Sequence, residues 1–116
     1  MQYVMLTYET EAAFDARSND NQGTYWGAWQ AYSKALAEAG VLVGGNALQP
    51  AFSGTTVRLR AGERKVQDGP YADTKEQLGG YFILEVSDLD TALDWAARCP
   101  AATDGAIEVR PVLPMQ

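Results

Sequence analysis

Histidine is absent from this chain, and cysteine occurs once, at Cys99. Without histidine, Ser–His–Asp and Cys–His catalytic arrangements are excluded because the general base is missing. A zinc site would need carboxylates alone, so we expect no metal and no cofactor. One thiol cannot form an intrachain disulfide, which favours a cytoplasmic location.

Basic residues are also scarce, since nine Lys and Arg against fifteen Asp and Glu give a formal net charge of −6. A surface that neutralises phosphates needs a basic stripe, so neither nucleic acid nor an anionic membrane is an expected partner. No apolar run approaches the length of about 18 residues that a membrane helix needs. The N-terminal segment MQYVMLTYET also lacks the features of a signal peptide.

A composition of 47% hydrophobic and 21% charged residues over 116 positions predicts one folded domain, residues 1–116. The hydrophobic patterns predict alternating strands and helices. The predicted order is a strand at 2–8 buried on both faces, a polar loop at 9–22, a helix from about Gly23 to Gly40, a strand at 41–48, a hairpin at 55–60 and 63–68, a strand at 81–86, a helix capped by Ser87 or Asp88, and a strand at 107–112.

This order, β-α-β, hairpin, β-α-β, predicts a ferredoxin-like α+β fold with an antiparallel sheet and both helices on one face. On the second helix we expect four buried residues: Leu89, Ala92, Leu93 and Ala96. The other sheet face stays uncovered, so we expect a homodimer in which a second copy covers it.

One long segment contains motifs that the patterns of helices, strands and turns do not explain. It runs 68-DGPYADTKEQLGGYFILEVSDLDTALDWAARCP-100, and it is accompanied by AGVLVGG at 39–45 and EVRPV at 108–112. Together these motifs resemble the YCII-related family, in the subgroup marked by an Asp-Gly-Pro-Phe motif, read here as Asp-Gly-Pro-Tyr at 68–71. The resemblance covers nearly the whole chain.

The resemblance implies a bacterial protein whose ferredoxin-like fold pairs into a dimeric α/β barrel. It also implies a genomic association with extracytoplasmic-function sigma factors, and no general activity is established for the subgroup. In the wider family, a histidine on the first helix and an aspartate after the second have been proposed as a catalytic pair. The matching positions here hold Trp29 and Cys99, so the pair does not carry over.

The Asp68-Gly69-Pro70-Tyr71 motif is first of all a turn, because Gly permits a positive φ and Pro presets the next one. A rigid turn can also hold a ligand group, so Asp68 is a catalytic candidate and Gly69, Pro70 and Tyr71 are ligand-binding candidates. Gln77 is a further ligand-binding candidate. It precedes a Gly pair, which lets other backbone approach closely and so could place Gln77 against a ligand. The alternative interpretation of this segment is a loop exposed to solvent.

Alternation along the strand at 81–86 predicts that Phe82, Leu84 and Val86 face the helices. Tyr81 and Glu85 then face the open side, as Arg110 does on the last strand. Glu85 is the second catalytic candidate, and Tyr81 and Arg110 are ligand-binding candidates, because an enclosed carboxylate suits acid/base chemistry. The alternative is an ion pair of Arg110 with Glu85 or Glu108.

Four aromatic residues at helical spacing, Tyr25, Trp26, Trp29 and Tyr32, form either core or the lining of a pocket, which makes Trp29 a ligand-binding candidate. We expect a buried, inert thiol at Cys99. The Arg58, Arg60 and Lys65 face of the hairpin is either an anion-binding face or a solvated edge, and we expect the solvated edge.

Three functional hypotheses follow. The first is a small-molecule-binding homodimer, accessory to sigma-factor-linked regulation. The second is a lyase or isomerase that uses Asp, Glu and Tyr as acid/base groups. The third is a protein-interaction module that docks to a sigma factor. Whether the protein is an enzyme stays open at this point.

Overall fold

The computed structural model describes residues 1–115. Their strands are β1 (Gln2–Glu9), β2 (Leu42–Ala47), β3 (Thr55–Arg60), β4 (Glu63–Asp68), β5 (Gln77–Glu85) and β6 (Ala106–Pro111). Their α-helices are α1 (Glu11–Ala16), α2 (Gln22–Glu38) and α3 (Leu89–Arg98). Within this part of the chain, no helix has both the length and the apolar character needed to cross a membrane.

Four strands form the main sheet in the order β2-β5-β1-β6, and every neighbouring pair is antiparallel. Strand β5 lies between β1 and β2, and β1 lies between β5 and β6, so each helical crossover skips one strand. The predicted α+β fold with an antiparallel sheet built from two split β-α-β units is therefore confirmed.

The core lies on one face of this sheet. Along β1, the residues Tyr3, Met5, Thr7 and Glu9 are buried and alternate with partly exposed ones, so the prediction that β1 is buried on both faces was wrong. The register places Leu84 beside Tyr3 and Phe82 beside Met5, which confirms the inward side of β5. Helix α2 adds Tyr32 and Leu36 to this core, and α3 adds Ala92 and Ala96.

Two further local predictions were wrong. Residues 9–22 are not all loop, because Thr10 Oγ1 accepts a 3.2 Å hydrogen bond from the amide of Ala13 and so caps helix α1. On α3, whose cap is Asp88, Leu89 and Leu93 are each 46% exposed. The helix approaches the sheet through its small alanines, which leaves these longer side chains toward solvent.

Strands β3 and β4 pair in the predicted register, with Val57 opposite Val66. The turn residues Ala61 (φ 51°) and Gly62 (φ 78°) are both left-handed, as a two-residue hairpin turn requires. However, the hairpin forms a two-stranded sheet of its own, so the prediction of a sheet-edge hairpin was wrong. We call residues 55–68 the arm.

Candidate ligand-binding site

A cavity of about 400 Å³ opens between helix α2 and the sheet. Strands β1, β2 and β5 form its floor, and α2 forms its roof. The polar side chains Gln30 and Ser33 also line it from the helix. Its size lies within the range of small-molecule sites, about 300 to 1,000 Å³.

Aromatic rings make the apolar walls of this cavity. The rings of Trp29 and Phe82 are nearly parallel, with an interplanar angle of 16° and centroids 6.1 Å apart. Tyr25 and Trp26 meet edge to face at 4.8 Å. The aromatic stripe on α2 therefore serves both predicted purposes, since Tyr32 lies in the core while Tyr25, Trp26 and Trp29 line the cavity.

The polar end of the cavity is a closed triangle of three side chains. Glu9 is only 3% exposed, and its Oε2 accepts a 2.9 Å hydrogen bond from Nη2 of Arg17. The Tyr25 hydroxyl donates to the other carboxylate oxygen at 2.5 Å and accepts from Arg17 Nε at 3.1 Å. Each charge removed from water thus has an opposite charge and hydrogen bonds beside it.

Arg17 also fastens the ends of two strands. Its guanidinium donates to the carbonyl oxygens of Leu48 at 2.5 Å and of Gly79 at 3.0 Å, and it lies 4.7 Å above the ring of Phe14. With these contacts made, Arg17 acts as a structural clamp rather than as a free receptor for an anion. It fixes the position of the Glu9 carboxylate beneath the cavity.

Burial raises the pKa of Tyr25 to about 12, and its hydrogen bond to Glu9 acts in the same direction. The hydroxyl therefore stays protonated at neutral pH. The polar end presents fixed hydrogen-bonding groups, which suit recognition better than removal of a proton from a ligand.

A glycine in β5 makes room for this triangle. The register of β1 against β5 shifts between Thr7 and Tyr8, so Gly79 is an extra, bulged residue. A Cβ atom at Gly79 would overlap Oε2 of Glu9. The bulge also turns the Gly79 carbonyl toward Arg17 and the amide of Leu48, which donates to it at 2.8 Å.

A second cavity of about 390 Å³ lies beside the first and has Glu9, Tyr25 and Trp29 in common with it. These three side chains are the partition between the two spaces. Within residues 1–115, no group of three or more Cys, Asp or Glu side chains is arranged to hold a metal ion.

Of the residues predicted from sequence to bind a ligand, Trp29 and Tyr81 line the first cavity. Gln77 begins β5 opposite Glu9, and its side-chain amide donates to Asp73 at 3.5 Å. The Gly pair that follows Gln77 lies inside the strand and lines the cavity, so it is not the solvated loop that was the alternative.

The Asp-Gly-Pro-Tyr motif lies at the base of the arm. Gly69 has a φ of +99°, which confirms the turn, and its amide donates to Gly54 at 2.7 Å. Asp68 pairs with Thr55 at the end of β4, and Tyr71 is exposed with its ring 5.2 Å from the Arg58 guanidinium. Neither Asp68 nor Tyr71 lines either cavity.

Glu85 and Arg110 lie on the open sheet face. The Glu85 carboxylate forms an ion pair with the N-terminal amine of Met1, and Arg110 Nε pairs with Glu108 at 2.6 Å, which is one of the two predicted ion pairs. The structure does not bring the two catalytic candidates together, because Asp68 ends the separate arm and Glu85 ends β5 at the opposite end from Gln77.

Sequence reasoning missed Glu9 and Arg17. A signal for Glu9 was available, since Tyr3, Met5, Thr7 and Glu9 share one face of an alternating strand and the last is a carboxylate. No local pattern marks Arg17, which meets Glu9 only after α1 has turned the chain back. Cys99 is buried as expected, and burial raises its pKa to about 11.

The YCII-related domain family matches residues 1–116. An uncharacterised protein of Rhizobium meliloti (strain 1021) is 37% identical over 114 residues, which are 97% of this chain and 92% of the relative.

A solved structure similar to this chain is 5-chloro-2-hydroxyhydroquinone dehydrochlorinase of Burkholderia phenoliruptrix AC1100, in complex with 2,5-dihydroxybenzoquinone. The TM-score is 0.55 with 16% sequence identity, and the match covers 97% of this chain and 94% of that one. At 16% identity the similarity shows that the two proteins have the same fold, and it carries no further conclusion.

Proposed function

This chain belongs to the YCII-related family, and we propose that it binds a flat, oxygen-bearing aromatic or quinoid molecule. The observation that carries the proposal is the cavity between α2 and the sheet, with stacked aromatic walls and a buried polar end. Apolar walls with a few fixed polar groups are the usual design of small-molecule sites.

The shape of the cavity favours a ring. The indole of Trp29 offers a broad face, and aromatic pairs stabilise one another by about 0.5–1.5 kcal/mol beyond their buried area. The Glu9–Arg17–Tyr25 triangle closes one end of the cavity, and the single hydroxyl hydrogen of Tyr25 is donated to Glu9. A hydroxyl substituent on the ring that points to this end would therefore donate its own hydrogen to the Tyr25 oxygen. The ligand 2,5-dihydroxybenzoquinone, bound to the dehydrochlorinase of the same fold, belongs to this chemical class.

The test is a calorimetric titration of the protein with 2,5-dihydroxybenzoquinone. We expect saturable binding in the wild-type protein and a rise in Kd of about tenfold in Trp29→Ala, because one wall is lost. Ser33→Leu fills the cavity from α2 without removing a core group, and it should weaken binding as well.

Phe52→Ala is the matched control, since Phe52 is an exposed aromatic residue that lines neither cavity. It should bind like the wild type. Equal affinities in the wild type, Trp29→Ala and Ser33→Leu would refute the proposed location.

A second candidate function is enzymatic, and the similarity in fold to a dehydrochlorinase favours it. Chloride release from a chlorinated hydroxyhydroquinone would test it directly. Asp68→Asn and Glu85→Gln test the catalytic residues predicted from sequence, and Tyr25→Phe tests the cavity. Binding without chloride release would leave the binding function as the better description.

We further propose that the chain is a homodimer of the Asp-Gly-Pro-Phe subgroup, with two ferredoxin-like sheets meeting in a barrel. The outward residues of the sheet support this, because Val4, Leu6 and Ile83 lie on the face opposite α2 and α3. Docking to a sigma factor stays a prediction, for which a pull-down with such a factor is the test.

A further inference from the structure

The hydroxyl hydrogen of Tyr25 has a partner within the protein, and this determines what the polar end of the cavity offers to a ligand. The Tyr25 oxygen lies 2.5 Å from Oε1 of Glu9. An ionised carboxylate has no hydrogen to donate, so the hydrogen of this contact belongs to Tyr25. The same oxygen accepts from Arg17 Nε at 3.1 Å, which leaves its other lone pair unoccupied. Toward a ligand, Tyr25 can therefore accept a hydrogen but cannot donate one.

Arg17 does not supply the missing donor. Its Nε and one Nη2 hydrogen face Tyr25 and Glu9. Its other Nη2 hydrogen and one hydrogen of Nη1 face the carbonyl oxygens of Gly79 and Leu48. Because a guanidinium is a planar, fixed fork, the hydrogen that remains on Nη1 lies on the edge from which the side chain itself extends. That edge points away from Glu9 and Tyr25.

The floor of the cavity next to this end has the same character. Thr7 lines the cavity, and its Oγ1 donates to the carbonyl oxygen of Gly80 at 3.0 Å. Only lone pairs of the Thr7 hydroxyl are then left for a ligand. The polar end and the adjoining floor thus form a surface of acceptors, whereas the amide donors of Gln30 belong to the roof on α2.

We propose that Glu9 is a positioning residue that makes the cavity select phenols and hydroquinones, whose hydroxyl donates to Tyr25, over quinones, whose carbonyl only accepts. Two acceptors that face each other leave polar groups unpaired, and a site built on a hydrogen bond discriminates strongly against an analogue that lacks it. This inference rests on the proposed function and narrows its ligand to the reduced, hydroxyl-bearing form.

The test compares hydroquinone with 1,4-benzoquinone by calorimetric titration at neutral pH. The two flat molecules differ only in the hydrogens on their oxygens. We expect hydroquinone to bind the wild-type protein about tenfold more tightly, which corresponds to one hydrogen bond. Benzoquinone adds to thiolates, but the one thiol of the chain, Cys99, is buried, and the intact mass after titration verifies that the protein is unmodified.

Glu9→Gln should invert this preference. The new side chain keeps its oxygen toward the Arg17 donor, so its amide nitrogen faces Tyr25. The amide then donates to the Tyr25 oxygen, and the hydroxyl hydrogen of Tyr25 is free to donate to a quinone carbonyl. A purely structural role of Glu9 would weaken both ligands alike and leave their ratio unchanged. Glu11→Gln, at an exposed position of α1, is the matched control and should keep the wild-type ratio.

Tyr25→Phe decides the question if circular dichroism shows that Glu9→Gln does not fold. A phenyl ring neither accepts from hydroquinone nor opposes a carbonyl, so the two Kd values should come within about twofold of each other. Trp29→Ala removes an apolar wall that both ligands share. It should weaken both and keep their ratio.

The outcomes separate this inference from the proposed function. A wild-type protein that binds neither ligand, nor 2,5-dihydroxybenzoquinone, overturns both. Binding of 2,5-dihydroxybenzoquinone without binding of hydroquinone overturns the selection alone. Equal Kd values for hydroquinone and benzoquinone in the wild type do the same, as does a wild-type ratio in folded Glu9→Gln or in Tyr25→Phe.

Discussion

At the scale of the residue, the decisive group is the carboxylate of Glu9. A carboxylate removed from water needs an opposite charge and hydrogen bonds, and Arg17 and Tyr25 supply them at 2.9 Å and 2.5 Å. The same three side chains form the polar end of the cavity. Stability and the geometry of the site therefore depend on the same contacts.

Glu9→Gln should lower the free energy of unfolding by about 3 kcal/mol or more, because it leaves the mostly buried Arg17 charge without its partner. Urea denaturation of the two proteins measures the difference. Glu11→Gln is the control, since Glu11 is exposed in α1 and should change stability little. Equal losses in both variants would show that the Glu9–Arg17 pair does not stabilise the fold.

Cys99 predicts a pH dependence of stability. Burial raises the pKa of its thiol in the folded protein to about 11 from an ordinary value of 9.0. Between pH 9 and pH 11 the thiol loses its proton in the unfolded chain but keeps it in the folded protein. The free energy of unfolding is therefore unaffected by this group below pH 9 and falls as the pH rises toward 11. The loss should reach about 2 kcal/mol.

Urea denaturation at several pH values from 8 to 11 tests this expectation. In Cys99→Ala the fall in unfolding free energy should be smaller than in the wild type. A parallel decline in both proteins would assign it to other groups, among them Tyr25, whose pKa is raised to about 12.

At the scale of the element, the bulge in β5 connects strand geometry to the site. The extra residue Gly79 bends the strand so that its carbonyl meets Arg17 and its Cα lies against Glu9. Such bulges recur near functional sites because they redirect neighbouring groups. The Gly pair that sequence reasoning noticed therefore has a specific structural reason.

Gly79→Ala should destabilise the protein by about 1–3 kcal/mol, since the new methyl group would displace the Glu9 carboxylate from Arg17. It should also weaken binding in the cavity. Gly44→Ala is a matched control in β2, where a Cβ atom would meet nothing within 4 Å. Thermal unfolding and the calorimetric titration report the two effects, and a Gly79→Ala protein as stable as Gly44→Ala would contradict the expectation.

At the scale of the whole molecule, helices cover one face of the sheet, and the arm extends as a second sheet. The principal-axis extents of 48, 47 and 19 Å describe a flat molecule. One layer of helices covers only one face of a sheet. The apolar area on the other face is then left to be covered by association with another protein chain. This shape is the physical basis for the proposed homodimer.

Leu6→Asp should convert the proposed dimer into monomers, because the variant places a charge at the centre of the open sheet face. Sedimentation measures the mass, and circular dichroism verifies that the fold is retained. Leu93→Asp, on the helical side, should leave the mass unchanged. A folded Leu6→Asp dimer would contradict the proposed use of this face.

Apart from helix α1, the sequence by itself determined the element order, the split β-α-β topology, the hairpin register and the left-handed turn at Gly69, because periodicity and turn chemistry are local properties. It also marked Trp29 and Tyr81 as ligand-binding candidates. Both line the cavity, although Tyr81 was expected on the open face of the sheet rather than on the side of α2.

Only the tertiary structure decided which residues form the site. Glu9, Arg17 and Gly79 come from three separate segments, and they meet because α1 reverses the chain and a bulge shifts one strand by a residue. The separation of the arm from the main sheet was decided in the same way. Long-range packing, rather than local propensity, sets such distances, so no pattern in the chain reveals them.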